Sequence, residues 1–328
     1  MLKSELMGWV PFEIFTQGDR LLCRWLFTGD KKFTEPFFDD TITICKRLPE
    51  NSRSFKPCST LDMLPVWADS PSSTDPAAFI FHVSRCGSTL LAQLLGINPQ
   101  HAVLSEVPFF DEIMRLPYKF AGNISQRDIN LFYRSALRLY SEKDGESPSR
   151  LFVKNDSWHL FFYKELRKLY PHTPFVFLYR SPAEIIRSQK KQRGLQSIPG
   201  MIEPALFGFA EQDMSFDLDL YMSRVLEKYF AKLLQIIDVD RNFILCNYAE
   251  GMENILRKVL HKIGHAPDGE EKNKMDERMG FDGKRPQMFY EQEVPETKFP
   301  DYLETCMDLY EEVEKKRQWL YRAQNEFS

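Results

Sequence analysis

FHVSRCGSTLLAQLLG, residues 81–96, decides how this chain is read. The apolar run Ala77 to Val83 (AAFIFHV) predicts a strand buried on both faces. Leu90, Leu91, Leu94 and Leu95 then recur as a helical stripe, and Gly96 with Asn98-Pro99 ends it. Between them lie Ser84, Arg85, Cys86, Gly87, Ser88 and Thr89. A strand entering a helix through so tight a turn aims backbone N–H groups and the positive helix end at an anion. Gly87 lets the backbone approach closely. The plainer alternative is an ordinary strand-turn-helix connection.

Working outward, residues 77–265 alternate strand-like runs with helical patterns. FIFHV precedes LLAQLLG, HAVLS precedes a helical 109–116, and RLFVK precedes a helical 158–169. FVFLY precedes 182–193, and FILCNY precedes 252–263. This βαβ rhythm predicts an α/β fold with a parallel sheet flanked by helices. The stripe from Leu218 to Leu234 reads as core packing. Residues 266–300 read as loop and 301–324 as a charged final helix. Before the sheet, residues 1–76 form an N-terminal extension of unassigned role, with alternating segments RLLCRWLF and DTITICKRL. It ends in the polar DSPSSTDP, so the α/β unit spans 77–328.

Composition excludes several classes. The chain has 328 residues, 43% hydrophobic and 27% charged, with a formal charge of −4. That balance argues against nucleic acid or an anionic membrane as a general partner. No apolar run reaches the length of a membrane span, and the N-terminus lacks a signal-peptide pattern. Six scattered cysteines, without a CxxC pair, read as reduced thiols of a cytoplasmic protein.

A second run, PFVFLYRSPAEIIRSQKKQRG (174–194), repeats the logic of the first. Its strand ends in Arg180, where open α/β sheets bind ligands. Ser181, Pro182 and Glu184 make a helix start, with Ser181 as the cap. Ser188, two turns in, can share Arg180's cleft, and an Arg with a hydroxyl suits a phosphate. A structural salt bridge for Arg180 is the competing reading.

Taken together the two runs resemble the sulfotransferases that use 3′-phosphoadenosine 5′-phosphosulfate (PAPS). SRCGSTLL is similar to their 5′-phosphosulfate loop. The resemblance implies that Arg85, Cys86, Gly87, Ser88, Thr89 and Leu90 hold the cosubstrate there. YRSPAEIIRS is similar to their 3′-phosphate site and implies the same of Arg180 and Ser188. FVKNDSWHLFFYKELRKLYP and NFILCNYAEGMENILRKVLHKIG resemble flanking elements of the family. The resemblance covers about 77–265 and implies a P-loop sulfotransferase-like fold. Two features depart from it. The basic Gly-rich C-terminal loop has no clear counterpart, though Lys284 and Arg285 in MGFDGKRPQMF stand as substitutes. The histidine base of the cytosolic animal members has no match after Lys154.

The implied chemistry moves a sulfuryl group from phosphate to a hydroxyl or amine of a small-molecule acceptor. Arg85, Lys154 and the N–H groups of 86–90 neutralise the leaving group without a metal. Glu106 stands where other family members carry a base, with His159, Asp156 and His82 as alternatives. The segment 194–216 reads as a lid whose Met201, Leu206, Phe207 and Phe209 favour an apolar or aromatic acceptor. A P-loop kinase would need GxxxxGK[ST], and no Lys follows Gly87. A non-catalytic nucleotide-binding module is the remaining alternative. Neither the acceptor nor the oligomeric state is legible.

Overall fold

In the computed structural model, which describes residues 6–68, 75–120, 124–142, 148–284, 288 and 299–326, the chain begins with an antiparallel sheet. Its strands are β1 (Trp9–Gln17), β2 (Arg20–Phe27) and β3 (Cys58–Thr60), in that order. Helix α1 (Phe38–Cys45) lies between β2 and β3, and α2 (Met63–Trp67) follows. DTITICKRL, read as alternating, is therefore mostly helix. Phe38, Thr41, Ile42 and Cys45 are its buried residues, and their helical spacing outweighs a local alternation of β-branched side chains.

The second sheet holds β4 (Ala78–His82), β5 (His101–Ser105), β6 (Arg150–Lys154), β7 (Phe175–Tyr179) and β8 (Phe243–Asn247). All pair in parallel, in the order β5-β6-β4-β7-β8. Every residue of β4 and β7 is buried, as expected of strands covered on both faces. Successive residues serve opposite layers. Ile80, Phe152, Val176 and Ile244 pack with α3 (Ser88–Leu95), and also with α9 (Met252–Lys262) and α10 (Gly269–Met279). Phe79, Phe81, Val153 and Phe177 face the larger core. That core contains α4 (Pro108–Lys119), α5 (Gln126–Ser141), α6 (Tyr163–Leu169), α7 (Pro182–Lys191), α8 (Leu218–Val239) and α11 (Glu304–Glu326). Val10, Cys23, Trp25 and Leu26 of the antiparallel sheet join the same core.

Four further features differ from the sequence reading. Helix α5 was not anticipated, although Ile129, Tyr133, Ala136, Leu137 and Tyr140 are buried at helical spacing. Helix α10 lies in the stretch read as loop. It buries only Glu271 and Met275 and is marked by its cap, Asp268 accepting from Glu271 N–H at 2.8 Å. Segment 194–216 is packed rather than lid-like: Leu206, Phe207 and Phe209 are buried, with Phe207 on Phe161 and Phe209 on Tyr221. Met201 stays exposed. Finally, Ser181 occupies the N-cap position of α7 but its hydroxyl caps nothing.

Candidate active site

The carboxyl ends of all five parallel strands lie on one edge. The chain leaves β4 for β5 and later crosses back to β7, so the end of β4 is the switch point where such sheets bind ligands. The turn there is strained. Ser84, Arg85 and Gly87 have φ of 75°, 52° and 80°, and successive peptide N–H groups in a tight turn can form an anion-binding concavity. Gly87 is required twice over, by its φ and by space. A Cβ at Gly87 would lie 2.8 Å from Met252 Cε and 2.9 Å from Tyr248 Cε2. Gly87 is also the N-cap of α3, and among the described residues no side-chain cap bond is made there. Its first-turn N–H groups, from Ser88 to Leu90, thus await an acceptor. Cys86 turns its thiol inward, donating to Leu178 O at 3.3 Å, and burial pushes it up to about 12.

Neighbours hold this strain. Ser84 N–H donates to His82 Nδ1 at 3.1 Å. Ser84 Oγ accepts from Gln189 Nε2 at 3.0 Å and from Gln196 Nε2 at 2.8 Å. The Arg85 guanidinium donates to the Gln192 carbonyl just past α7, and Arg180 donates to the Arg85 carbonyl at 3.4 Å. The two runs read as separate anion sites are therefore tied together. Arg180 also pairs with Glu184 at 3.2 Å and lies over the Tyr248 ring, 4.5 Å from its centroid. A phosphate at Arg180 would compete with Glu184. Ser188 is half-buried within α7.

Glu106, one residue past β5, is a second strained point, with φ 52°. Its N–H donates to Lys154 O at 2.8 Å. Its Oε1 takes the Lys154 ammonium and lies 3.1 Å from His82 Nε2. Because His82 Nδ1 already accepts from Ser84, Nε2 carries the proton and donates to Glu106. Burial works to raise the Glu106 carboxyl, but the Lys154 charge and the His82 hydrogen bond overcome it and hold it well below the usual range. Burial likewise keeps His82 below its ordinary value, against the pull of Glu106. The sequence reading offers His82 only as an alternative base. The strand register places it on the carboxylate.

The other candidate bases are differently engaged. His159 Nε2 lies 3.0 Å from Asp111 Oδ1 and 3.7 Å from Asp156 Oδ2. Burial, with Glu106 and Asp111 close by, lifts the Asp156 carboxyl far above its ordinary value, so it keeps its proton. Asp111, Asp156 and His159 bring ligand-type atoms within 4.8 Å of one another. Asp111, however, also accepts from Trp158 Nε1 at 2.6 Å and Arg115 NH1 at 2.7 Å. Its oxygens are already committed, so the trio acts as a buried strut rather than a vacant ligand set.

Lys284 was offered as part of the 3′-phosphate site. It lies within electrostatic reach of Arg85, Glu106 and Lys154. Burial and those two cations bring its ammonium down to about 8, against Glu106 and Asp282. Arg285 lies outside the described residues. Phe37, from the N-terminal extension, was not anticipated. Its ring centroid is 5.4 Å from Lys154 Nζ and 5.6 Å from Lys284 Nζ.

The sequence profile of the sulfotransferase family matches residues 76–206, which span β4 through α7 and thus both strained points. Over this stretch the chain is similar to the sulfotransferase family. Its parallel sheet flanked by helices agrees with that likeness, and the family's general chemistry is sulfuryl transfer. Solved structures similar to the chain include a sulfotransferase from Alicyclobacillus acidocaldarius, at 15% identity, 75% of this chain, 96% of that chain and TM-score 0.44. A sulfotransferase from Mycobacterium avium matches at 11% identity, 77% of each chain and TM-score 0.44. A mouse sulfotransferase complexed with PAP matches at 13% identity, 82% of this chain, 93% of that chain and TM-score 0.41. No curated protein sequence matches the chain. At such scores these likenesses carry no argument about the site. Among the described residues no helix is long and apolar enough to cross a membrane.

Proposed function

We propose that the chain transfers a sulfuryl group from PAPS to a hydroxyl or amine of a small-molecule acceptor, without a metal. The observation that carries this reading is the junction of β4 and α3. A strained turn and an uncapped helix N-terminus there stand beside Arg85 and a Lys154–Glu106 pair.

In the reaction the acceptor oxygen or nitrogen bonds to sulfur while the bond from sulfur to the 5′-phosphate oxygen breaks. Arg85 and the N–H groups of residues 86–90 take the charge that grows on the departing phosphate. The acceptor's proton goes to Glu106, which is ionised and directed by His82. Lys154 serves both partners. While it sits on Glu106 it weakens the base, and moving toward the leaving oxygen restores that basicity. Asp156 already holds its proton, and His159 pairs through Nε2 with Asp111 while its Nδ1 is buried without a partner, so Glu106, beside Lys154 and His82, is the base assigned here. Arg180 and Ser188 are assigned to the 3′-phosphate.

Calorimetry in EDTA tests the donor: PAP should bind, and a preference for ATP with Mg²⁺ would instead favour a kinase. A comparison of metabolites from cells with and without the protein, searching for compounds that gain a sulfate, identifies the acceptor.

A further inference from the structure

We propose that Lys284 is a third cation at the sulfuryl-transfer centre, acting on the 5′ end of the donor rather than on its 3′-phosphate. The inference rests on the donor reading above and concerns a residue outside the family-matched stretch.

Three observations place it. Lys284 Nζ and Lys154 Nζ both lie within 5.6 Å of the Phe37 ring centroid, so one aromatic ring draws two ammonium groups. The backbone leading to Lys284 crosses the start of α3, where a Cβ on Gly283 would come within 3.1 Å of Leu90 N. That crossing is pinned from α10. Arg278 donates to Phe281 O at 3.1 Å and Asp282 O at 3.0 Å, and Lys284 N–H donates to Asp282 Oδ1 at 2.9 Å. The segment is therefore held against the same helix N-terminus that cradles the 5′-phosphate in the proposed reaction.

The charges facing Lys284 are Arg85 from the β4–α3 turn, Lys154 from β6, Glu106 from β5 and Asp282 from its own segment, with His82 beyond. Glu106 is already shared between Lys154 and His82. Among the described residues Lys284 forms no ion pair. Cations gathered in excess of carboxylates, around an uncapped helix start, make a site for a multiply charged anion. Arg180 lies at the end of β7, beside Glu184 and Tyr248, whereas the groups named around Lys284 are Arg85, Lys154, Glu106, Asp282 and Phe37.

The test uses the full chain and two nucleotides, PAP and adenosine 5′-phosphate, titrated by calorimetry between pH 6.5 and about 9. K284Q should weaken both by about 10- to 100-fold, the loss expected for one charge-assisted contact. In the unsubstituted protein the affinity should fall as pH rises through about 8, where Lys284 loses its proton. That inflection should vanish in K284Q, and K284R should restore affinity without it. Weaker PAP binding with unchanged adenosine 5′-phosphate binding would put Lys284 on the 3′-phosphate and overturn the inference. Unchanged binding of both nucleotides would overturn it too. If the unsubstituted protein binds no PAP, the donor reading itself fails, and this inference falls with it.

Discussion

Glu106 carries opposed demands. Its backbone is strained, its carboxylate is shared by an ammonium and an imidazole, and it is the assigned proton acceptor. Glu106→Gln keeps the shape and removes the base. With a saturating acceptor, kcat should fall by about 10²–10⁴ while calorimetry shows near-normal PAP affinity. His159→Ala is the control. Loss of turnover there, with Glu106→Gln still active, would move the base to His159. Arg180 faces a simpler question, because Glu184 already pairs with it. If the guanidinium also binds the 3′-phosphate, Arg180→Ala should cost about 1.5–3 kcal/mol of PAP affinity. Adenosine 5′-phosphate affinity should change far less. Equal losses for the two nucleotides would make the Glu184 pair structural and nothing more.

At the level of elements, the turn between β4 and α3 acts as a unit with α7. Gln189 of α7, and Gln196 just beyond it, clamp Ser84 while Arg180 and Gln192 clamp Arg85. Gly87 closes the turn against α9 and the Tyr248 turn. Gly87→Ala adds a disfavoured φ to a clash with Met252 and Tyr248, for a stability cost of about 1–3 kcal/mol. Chemical denaturation measures it. Shortening one neighbour through Met252→Ala relieves only the Met252 part of the clash and leaves Tyr248, so the double variant, compared with Met252→Ala alone, should regain part of the loss. Full recovery would mean that the backbone conformation costs nothing.

On the scale of the whole molecule, the N-terminal extension is built into the core. Tyr140 of α5 donates to Pro11 O, and Ile14 N–H donates to Glu112 Oε2 of α4 at 2.5 Å. Burial pushes Glu112 up to about 7, against that hydrogen bond from Ile14. A folded-state value above the ordinary 4.5 means the native protein binds the extra proton between those pH values. Stability should therefore decline as pH rises from about 4.5 to 7 and level off above. A shift of this size corresponds to about 3 kcal/mol. Thermal melts across that range should show the slope, and Glu112→Gln should flatten it. Glu106 acts elsewhere on the pH axis: its lowered value adds stability above the ordinary 4.5 that is lost only in stronger acid. A slope that survives Glu112→Gln would assign the effect to another group.

Local periodicity was enough for β4–α3 and β7–α7, because a buried strand and a helical stripe announce themselves within a few residues. The same locality explains the errors. Helix α10 carries its signal in a cap and charges rather than an apolar stripe, and α1 hides its stripe under β-branched alternation. The candidate anion-binding turn, with Arg85, Gly87 and Arg180, was legible because each residue lies beside its own strand end. What the chain could not announce is which strand ends become neighbours. The order β5-β6-β4-β7-β8 is a tertiary choice, made by burying both faces of the sheet at once. Only that order brings His82 and Lys154 onto Glu106 across 24 and 48 residues. It also creates the edge where Phe37 and Lys284, from opposite ends of the chain, close around the same lysine. Side-chain spacing repeats over two to four residues, whereas charge gathered at one point depends on how distant segments pack.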